Sequence, residues 1–295
     1  MQPANYFHDS RESWWNPDYL ALLARRLHLD QARAVLDVGC GQGHWTRALA
    51  SVLSPKAHFT GIDREERWLE VARERAGEAA TRFTYLAGTA ERLPFEAATF
   101  DVVTCQTLLC HVADPAGVIA EMARVLKPGG LMAVVEPNNL ACALVLDSVS
   151  VTMTTEDLLA VVELQLRCER GKQALGEGYN SIGDLVPGLL AAAGLEGLDV
   201  WLDDKTLALY PPYASGEQRV AIRERMRYYD SDRWVWSQAD TRRYFAAGGG
   251  DASAFDRCWA AAIGQKALRK EAVRGHGFHG ANGGILYVSV GRKPA

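Results

Sequence analysis

The sequence predicts an α/β fold built on a doubly wound, mostly parallel sheet. Three observations support this prediction: apolar runs alternate with helical segments from residue 31 to about 136, a glycine-rich loop follows the first run, and Asp63 ends the second. Strands separated by helices require right-handed crossovers, which place helices on both faces of a parallel sheet.

The first half of the chain supplies these elements in regular order. Residues 45–53, 66–75 and 116–126 have helical spacing, and Lys127-Pro128-Gly129-Gly130 ends the last helix. The segments between them are short and apolar, as buried parallel strands are. Strands are therefore expected at residues 34–38, 58–63, 83–87, 100–105 and 131–136.

The second half is less regular. Residues 171–180 are glycine-rich and polar and predict a loop, and Gly248-Gly249-Gly250 interrupts a mostly helical stretch from 214 to 270. The pattern also predicts helices at 155–170 and 182–193, a sixth strand at 198–202 and a final alternating strand at 285–292.

Composition and charge restrict the class of protein. The 295 residues are 48% hydrophobic and 23% charged, which is the balance of a globular protein with a substantial core. The net charge of −4 disfavours wide contact with a phosphate backbone. None of the six cysteines forms a CxxC pair, so we expect no metal site and a reducing compartment. Residues 1–10 lack the apolar core of a signal peptide and no apolar run reaches membrane length, which predicts a cytoplasmic protein.

The glycine-rich loop is the strongest chemical signal. Gly39-Cys40-Gly41-Gln42-Gly43 lies between a strand and a helix, where glycines let the backbone turn sharply and approach a ligand. Asp63 ends the next strand, where an acid can accept both hydroxyls of a ribose. Asp37 adds a carboxylate that suits a ligand carrying an ammonium group. A nicotinamide-binding loop reads GxGxxG, and His44 at its sixth position disfavours a dehydrogenase.

In these residues the chain resembles the class I S-adenosylmethionine-dependent methyltransferases. Within that class it is similar to the family that includes the ubiquinone and menaquinone biosynthesis enzymes. The resemblance covers residues 33–136. It rests on four segments in the same order: 35–43, 61–69, 88–95 and 100–130. It implies a Rossmann-like, seven-stranded sheet, mostly parallel with an antiparallel last strand, a helical cap, and S-adenosylmethionine as cofactor.

The resemblance and the irregular second half together predict how the chain is divided. We expect an N-terminal aromatic lid at 1–30, a cofactor-binding core at 31–138, a helical insertion at 139–180, a return to the core at 181–209, a helical cap at 210–280 and the final core strand at 281–295.

The expected cofactor-binding residues follow from the loop and the resemblance. They are Asp37, Gly39, Cys40, Gly41, Gly43, Asp63, Arg64, Thr89, Ala90, Glu91 and Gln106. By resemblance, the loop residues surround the methionine part, Asp63 holds the ribose and residues 89–91 border the adenine. Relatives usually carry an aspartate at position 89, so Thr89 offers an uncharged acceptor instead. Gln106 either faces the cofactor or is an ordinary solvated strand end.

Methyl transfer is an in-line displacement at carbon, for which the protein mainly supplies alignment. A base is needed for acceptors such as a hydroxyl. His111, after the fourth strand, is the expected catalytic base, with bracing of its loop as the alternative. Glu136 either binds a polar acceptor or is a capping or solvated carboxylate. His276 and His279 either close over the site or lie in a surface loop.

Two aromatic clusters have alternative interpretations. The segment from Tyr6-Phe7-His8 to Tyr19 is either a lid over the site or an anchor on the core. Tyr228-Tyr229 and Trp234-Val235-Trp236 either line an apolar acceptor pocket or pack internally. Tyr210-Pro211-Pro212-Tyr213 is similar to a box of amine methyltransferases but lies after the sixth strand, so it predicts a turn.

The predicted function is methyl transfer from S-adenosylmethionine to oxygen, nitrogen or carbon of a small-molecule acceptor. An RNA methyltransferase is an alternative, although Arg223-Glu224-Arg225 and Arg242-Arg243 are short basic clusters with acids close by. A non-catalytic cofactor-binding protein is another alternative, disfavoured by the intact loop and Asp63.

Overall fold

The computed structural model describes Arg11 and residues 14–295, apart from the side chains at positions 78, 79 and 282. The chain divides into two compact units. The sheet unit contains residues 14–137, 182–204 and 286–295, and the helical unit contains residues 138–181 and 205–285.

The elements follow one another in chain order. The strands are β1 Ala34–Val38, β2 His58–Asp63, β3 Phe83–Ala87, β4 Phe100–Gln106, β5 Leu126–Pro137, β6 Glu196–Leu202, β7 Leu207–Leu209, β8 Gly280–Asn282 and β9 Leu286–Arg292. The α-helices are α1 Pro17–Arg26, α2 His44–Ala50, α3 Glu66–Ala76, α4 Pro115–Val125, α5 Asn139–Cys142, α6 Thr155–Ala174, α7 Val186–Ala192, α8 Gly216–Asp230, α9 Gln238–Ala247 and α10 Ala252–Arg274.

The sheet unit contains a seven-stranded sheet in the order β3-β2-β1-β4-β5-β9-β6. β9 pairs antiparallel with both β5 and β6, whereas the other pairs are parallel. The predicted sheet, with its antiparallel last strand, is therefore confirmed. Strand order reverses between β1 and β4, and the carboxyl ends of β1, β2 and β4 meet at one edge. Ligands of doubly wound sheets bind at such a point.

Burial explains why the central strands read as nearly continuous apolar runs. Val35, Leu36 and Val38 of β1 and Phe59 of β2 have no solvent exposure, because the sheet is covered on both faces. α4 begins at Pro115 with the Asp114 side chain accepting the Gly117 amide, a normal N-cap. Buried apolar side chains thus hold the strands in place, whereas polar residues lie in the loops at the carboxyl ends of the strands.

The helical unit packs α6, α9 and α10 around a second apolar cluster that includes Leu164, Cys168, Phe245 and Phe255. β7 and β8 form a separate two-stranded sheet. The predicted turn at residues 211–212 is present. No helix among the described residues has the length and apolar character needed to cross a membrane.

The structure corrects two predicted loops. α6 continues to Ala174, so residues 171–174 are helical. Gly171 lies against the backbone carbonyl of Tyr244, so this glycine permits close helix packing and does not end the helix. The predicted surface loop near residue 280 contains β8, whose partner β7 is equally short. Strands of three residues carry too little periodicity to be recognised from sequence. The division of the chain into lid, core, insertion and cap stays a prediction.

Candidate functional site

The glycine loop joins β1 to α2 in a conformation that needs glycine. Gly39, Gly41 and Gly43 have φ values of +71°, +50° and +71°, in the left-handed region. The amides of Gly39 and Cys40 donate to the Ile62 carbonyl at 2.8 and 3.0 Å, which ties the loop to β2. The loop is thus bent tightly around the end of the neighbouring strand.

Neighbouring side chains also leave no room for larger residues in the loop. A Cβ atom on Gly39 would lie 2.7 Å from Leu108 Cδ1, and one on Gly43 would lie 2.6 Å from the Tyr85 hydroxyl. Both distances are shorter than van der Waals contact. The loop is therefore packed between β3 and the segment after β4.

Asp63, at the end of β2, is hydrogen-bonded to this loop. Its Oδ2 accepts the Gly41 amide at 2.9 Å, and its Oδ1 accepts the Glu65 amide at 2.9 Å. An ionised carboxylate has about four acceptor positions. Asp63 therefore keeps acceptor capacity for further donors while it connects the end of β2 to the loop.

Asp37 is buried at the end of β1, only 1% exposed. Its Oδ2 accepts the hydroxyl of Thr46, and its Oδ1 has no hydrogen-bond partner among the described residues. Burial, aided by the charge of Asp63 and opposed by the Thr46 hydrogen bond, raises the pKa of Asp37 to about 7. A cation at Oδ1 would supply the missing partner and favour the ionised form.

The segment after β4 is strained and carries a polar side chain. Gln106 ends the strand, and its Nε2 is buried without a partner in the described part of the chain. Thr107 follows with φ +52°, which a β-branched residue rarely adopts and which costs about 1–3 kcal/mol. The Thr107 amide donates to the Val135 carbonyl at 2.8 Å. Strain of this kind is concentrated at ligand sites.

His111 and Glu136 both belong to the next turn. His111 is half-buried and ends a 3₁₀ turn, Leu109–His111. Glu136 has no exposed surface, and its carboxylate accepts the amides of Leu108, Leu109 and Cys110 at 2.7, 2.7 and 3.2 Å. Burial raises the pKa of Glu136 to about 7, against the effect of these hydrogen bonds. Of the two alternatives for Glu136, the structure shows the capping carboxylate.

Comparison with known proteins finds a sequence family that is similar to part of the sheet unit. Residues 36–134 match the sequence family described as "Methyltransferase domain". Residues 36–134, hereafter the methyltransferase domain, are therefore similar to this family. This match confirms the resemblance seen in the sequence, and S-adenosylmethionine is the cofactor of the class.

The relatives of the methyltransferase domain include the ubiquinone biosynthesis O-methyltransferase of Hahella chejuensis, 42% identical over 136 residues, or 42% of this chain and 56% of that protein. The enzyme of the same name from Coxiella burnetii is 36% identical over 135 residues, again 42% of this chain and 56% of that protein. The match therefore spans little more than half the length of these relatives.

Solved structures share the fold of this chain. The YcgJ protein of Bacillus subtilis has a TM-score of 0.50 at 18% identity, with 95% of this chain and 100% of that chain covered. Phosphoethanolamine N-methyltransferase 2 of Haemonchus contortus also has a TM-score of 0.50, at 19% identity, with 94% of this chain and 52% of that chain covered.

The residues expected at the adenine lie along the same edge of the methyltransferase domain. Thr89 and Glu91 are exposed and Ala90 is half-buried, just after β3. Thr89 forms an isolated bridge with Arg92, which folds this segment back on itself. Arg64 follows Asp63, and 68% of its side chain is exposed.

The sequence did not single out Tyr85, which the structure places at the loop. Its side chain is 6% exposed, and its ring covers Gly61, where an added Cβ would meet it at 2.7 Å. Burial raises the pKa of its hydroxyl well above the usual range. The alternation of β3 predicts that Tyr85 and Phe83 share a face, and their rings do stack at 6.1 Å. That pattern identifies the face but not the loop that Tyr85 reaches.

The described end of the N-terminal aromatic segment packs into the core. Trp15 is 8% exposed and lies 4.6 Å from the ring of Trp45, so this part of the N-terminal segment is an anchor. The rest of the predicted lid, including Tyr6-Phe7-His8, lies outside the described residues.

In the helical unit, Tyr229 and Trp234 are buried in separate apolar clusters, in agreement with the packing alternative. His276 and His279 are exposed, and the ring of His276 stacks on Tyr213 at 5.8 Å. Within the described residues, no group of three or more potential ligands is arranged to hold a metal ion.

Proposed function

We propose that this chain transfers the methyl group of S-adenosylmethionine to an oxygen, nitrogen or carbon atom of a small-molecule acceptor. The acceptor attacks the methyl carbon in line with the sulfur, the carbon–sulfur bond breaks, and its electron pair stays on sulfur as S-adenosylhomocysteine forms. One observation supports the proposal most strongly. Three glycines of the loop have φ values in the left-handed region, and the amide of Gly41 donates to Asp63 at the point where the strand order of the sheet reverses.

The methionine part of the cofactor is assigned to Gly39, Cys40, Gly41 and Gly43. The three glycines carry no side chain of their own that would keep a ligand away from their backbone amides. The ammonium group of the methionine part is assigned to Asp37. The unpaired Oδ1 of this buried carboxylate supports the assignment, because a buried oxygen without a hydrogen-bond partner is costly and a cation offsets that cost.

The nucleoside part is assigned to the ends of β2, β3 and β4. The spare acceptor capacity of Asp63 suits two ribose hydroxyls. Thr89, Ala90 and Glu91 border the adenine, with Arg64 beside the ribose. The unpaired Nε2 of Gln106 supports a contact with the cofactor from β4.

His111 is assigned as the base that removes a proton from the acceptor. The relatives that match 42% of this chain are named O-methyltransferases, which makes oxygen the first acceptor atom to test. A hydroxyl must lose its proton during methyl transfer, so a positioned base is then required. We also infer a cytoplasmic location and no nucleic-acid substrate, on the basis of six free cysteines and a net charge of −4.

Isothermal titration calorimetry with S-adenosylmethionine and S-adenosylhomocysteine tests the cofactor site. The intact protein should bind both, and Asp63→Ala should weaken binding about 100-fold, because hydrogen bonds to a charged group contribute about 1.5–3 kcal/mol each. Asp199→Ala is the matched control, since Asp199 is exposed on the edge strand β6. Binding of NADH without binding of either sulfur compound would refute the proposal.

A panel of phenols, amines and enolisable ketones tests the chemistry, with S-adenosylhomocysteine formation as the readout. With an acceptor in hand, His111→Ala should lower turnover by about 10²–10⁴-fold and leave cofactor affinity unchanged. His58→Ala, which removes an exposed histidine at the start of β2, should have no effect. Unchanged turnover of His111→Ala would exclude His111 as the base.

A further inference from the structure

The carboxylate of Glu136 directs its hydrogen bonds at one short turn of backbone. Oε1 accepts the amides of Leu108 and Leu109, both at 2.7 Å, and Oε2 accepts that of Cys110 at 3.2 Å. Because hydrogen bonds are directional, three consecutive amides on one carboxylate define both the position and the orientation of the turn. The side chain has no exposed surface, so water does not compete for these bonds.

The turn held by Glu136 also shapes the glycine loop. Three carbons of the Leu108 side chain would lie between 2.7 and 3.3 Å from a Cβ on Gly39, so Leu108 packs directly against the loop backbone. Leu108 is the first of the three residues whose amides Glu136 binds. A displacement of the turn would therefore move the side chain that packs against the loop.

The neighbouring backbone needs such restraint. Thr107, directly before the held amides, has φ +52°, and a β-branched residue keeps this conformation only where its surroundings impose it. Its amide donates to the carbonyl of Val135, which precedes Glu136 on β5. Two consecutive residues at the end of β5 thus fix the exit of the chain from β4.

We propose that Glu136 is a positioning residue for the cofactor: it holds the amides of residues 108–110 so that Leu108 keeps the glycine loop in its binding conformation. The proposal rests on the proposed function, because the loop is taken to bind S-adenosylmethionine. Glu136 acts through Leu108 and does not itself touch the cofactor.

Calorimetry with S-adenosylhomocysteine on Glu136→Gln and Leu108→Ala tests this coupling. Glutamine keeps one oxygen for two amides but turns an NH₂ group toward the Cys110 amide. Each single variant should raise Kd about tenfold, at a temperature where circular dichroism shows it fully folded. The Kd of the double variant should be close to that of the weaker-binding single variant, because both substitutions break the same connection between Glu136 and the loop. A purely structural role for Glu136 would produce no such coupling.

Glu169→Gln is the matched control. Glu169 of the helical unit is also a glutamate without exposed surface, and its substitution should change the melting temperature while leaving Kd within twofold. The inference is overturned if folded Glu136→Gln binds within twofold of the intact protein, or if its effect and that of Leu108→Ala multiply. Leu108→Ala replaces Glu136→Gln in the test if the latter does not fold, because the Leu108 side chain is only half-buried. In that case, normal binding by Leu108→Ala is enough to overturn the inference. Failure of the intact protein to bind S-adenosylhomocysteine would instead refute the proposed function.

Discussion

Buried polar atoms around the glycine loop of the sheet unit differ in hydrogen bonding from the buried lysines of the helical unit. Around the glycine loop, Asp37 Oδ1, Gln42 Oε1 and Gln106 Nε2 are buried without partners among the described residues. In the helical unit, the buried Lys172 donates to Asn180, and Lys266 donates to backbone carbonyls at 2.6 and 2.7 Å.

The difference supports the proposed assignment of the loop side chains to a binding site. An unpaired buried group costs about 1–3 kcal/mol, a cost that a ligand can offset. Single unpaired atoms also occur elsewhere, as at Glu169 Oε2, whose partner oxygen accepts from Gln165. Three of them lie around the loop, which supports the proposed cofactor site.

The largest expected effect on cofactor affinity comes from adding a side chain to the glycine loop. Gly43→Ala should reduce S-adenosylhomocysteine affinity more than 100-fold, because alanine at φ +71° is strained and its Cβ would lie 2.6 Å from the Tyr85 hydroxyl. Calorimetry measures this loss. Gly188→Ala is the control: a Cβ there meets nothing within 4 Å, and alanine should stabilise α7 by about 0.5–1 kcal/mol. Near-normal affinity of Gly43→Ala would mean that the loop is not the binding surface.

A smaller effect is expected from the pH dependence of Asp37. The ligand's ammonium group favours the ionised form, so binding below the pKa of about 7 must release a proton. Affinity should therefore fall by about fivefold from pH 7 to pH 6, because the ionised fraction falls from about one half to about one eleventh. Asp37→Asn should flatten this profile in calorimetry at pH 6, 7 and 8. An equally steep profile in the variant would remove Asp37 as the titrating group.

Asp37 should also affect the stability of the ligand-free protein. Its folded pKa, about 7, is above the unfolded value of 3.8, so the folded state binds more protons between these values. This contribution to stability falls as pH rises from about 4 to about 7. Asp37→Asn should therefore raise the melting temperature more at pH 8 than at pH 5 if the Thr46 hydrogen bond is kept.

The smallest effect is expected at a satisfied polar cluster of the helical unit. Glu177 accepts from Arg243 at 2.7 and 3.0 Å and from the Tyr244 hydroxyl at 2.7 Å, and these contacts lower its pKa to about 2. Its stabilising effect is present above the unfolded value of 4.5 and is lost as pH falls toward 2.

Because Glu177 and Arg243 are both more than a third exposed, solvent screens their interaction. Glu177→Gln should cost less than about 1 kcal/mol in urea unfolding at pH 7, and should not change cofactor affinity. A tenfold change in affinity would contradict the assignment of this cluster to the scaffold. Asp256→Asn, which breaks the exposed pair with Arg242, is the matched control.

Much of the methyltransferase domain was predictable because its signals are local. The glycine loop and Asp63 depend on residue types with special backbone freedom or charge at the ends of strands, and the structure brings them together at 2.9 Å. Tyr85 was missed because alternation along β3 assigns a face without saying what covers it. The strands β7 and β8 were missed because three residues show no period.

The sequence by itself determined the sheet, its loop and the acid beside it, because periodicity and glycine content act within a few residues. Only the tertiary structure decided that Glu136 turns inward to bind amides 26 to 28 residues earlier in the chain. It also decided that Leu108 packs on Gly39. Such contacts depend on the register of β4 against β5 and on the packing of loops, and no short stretch of sequence encodes either.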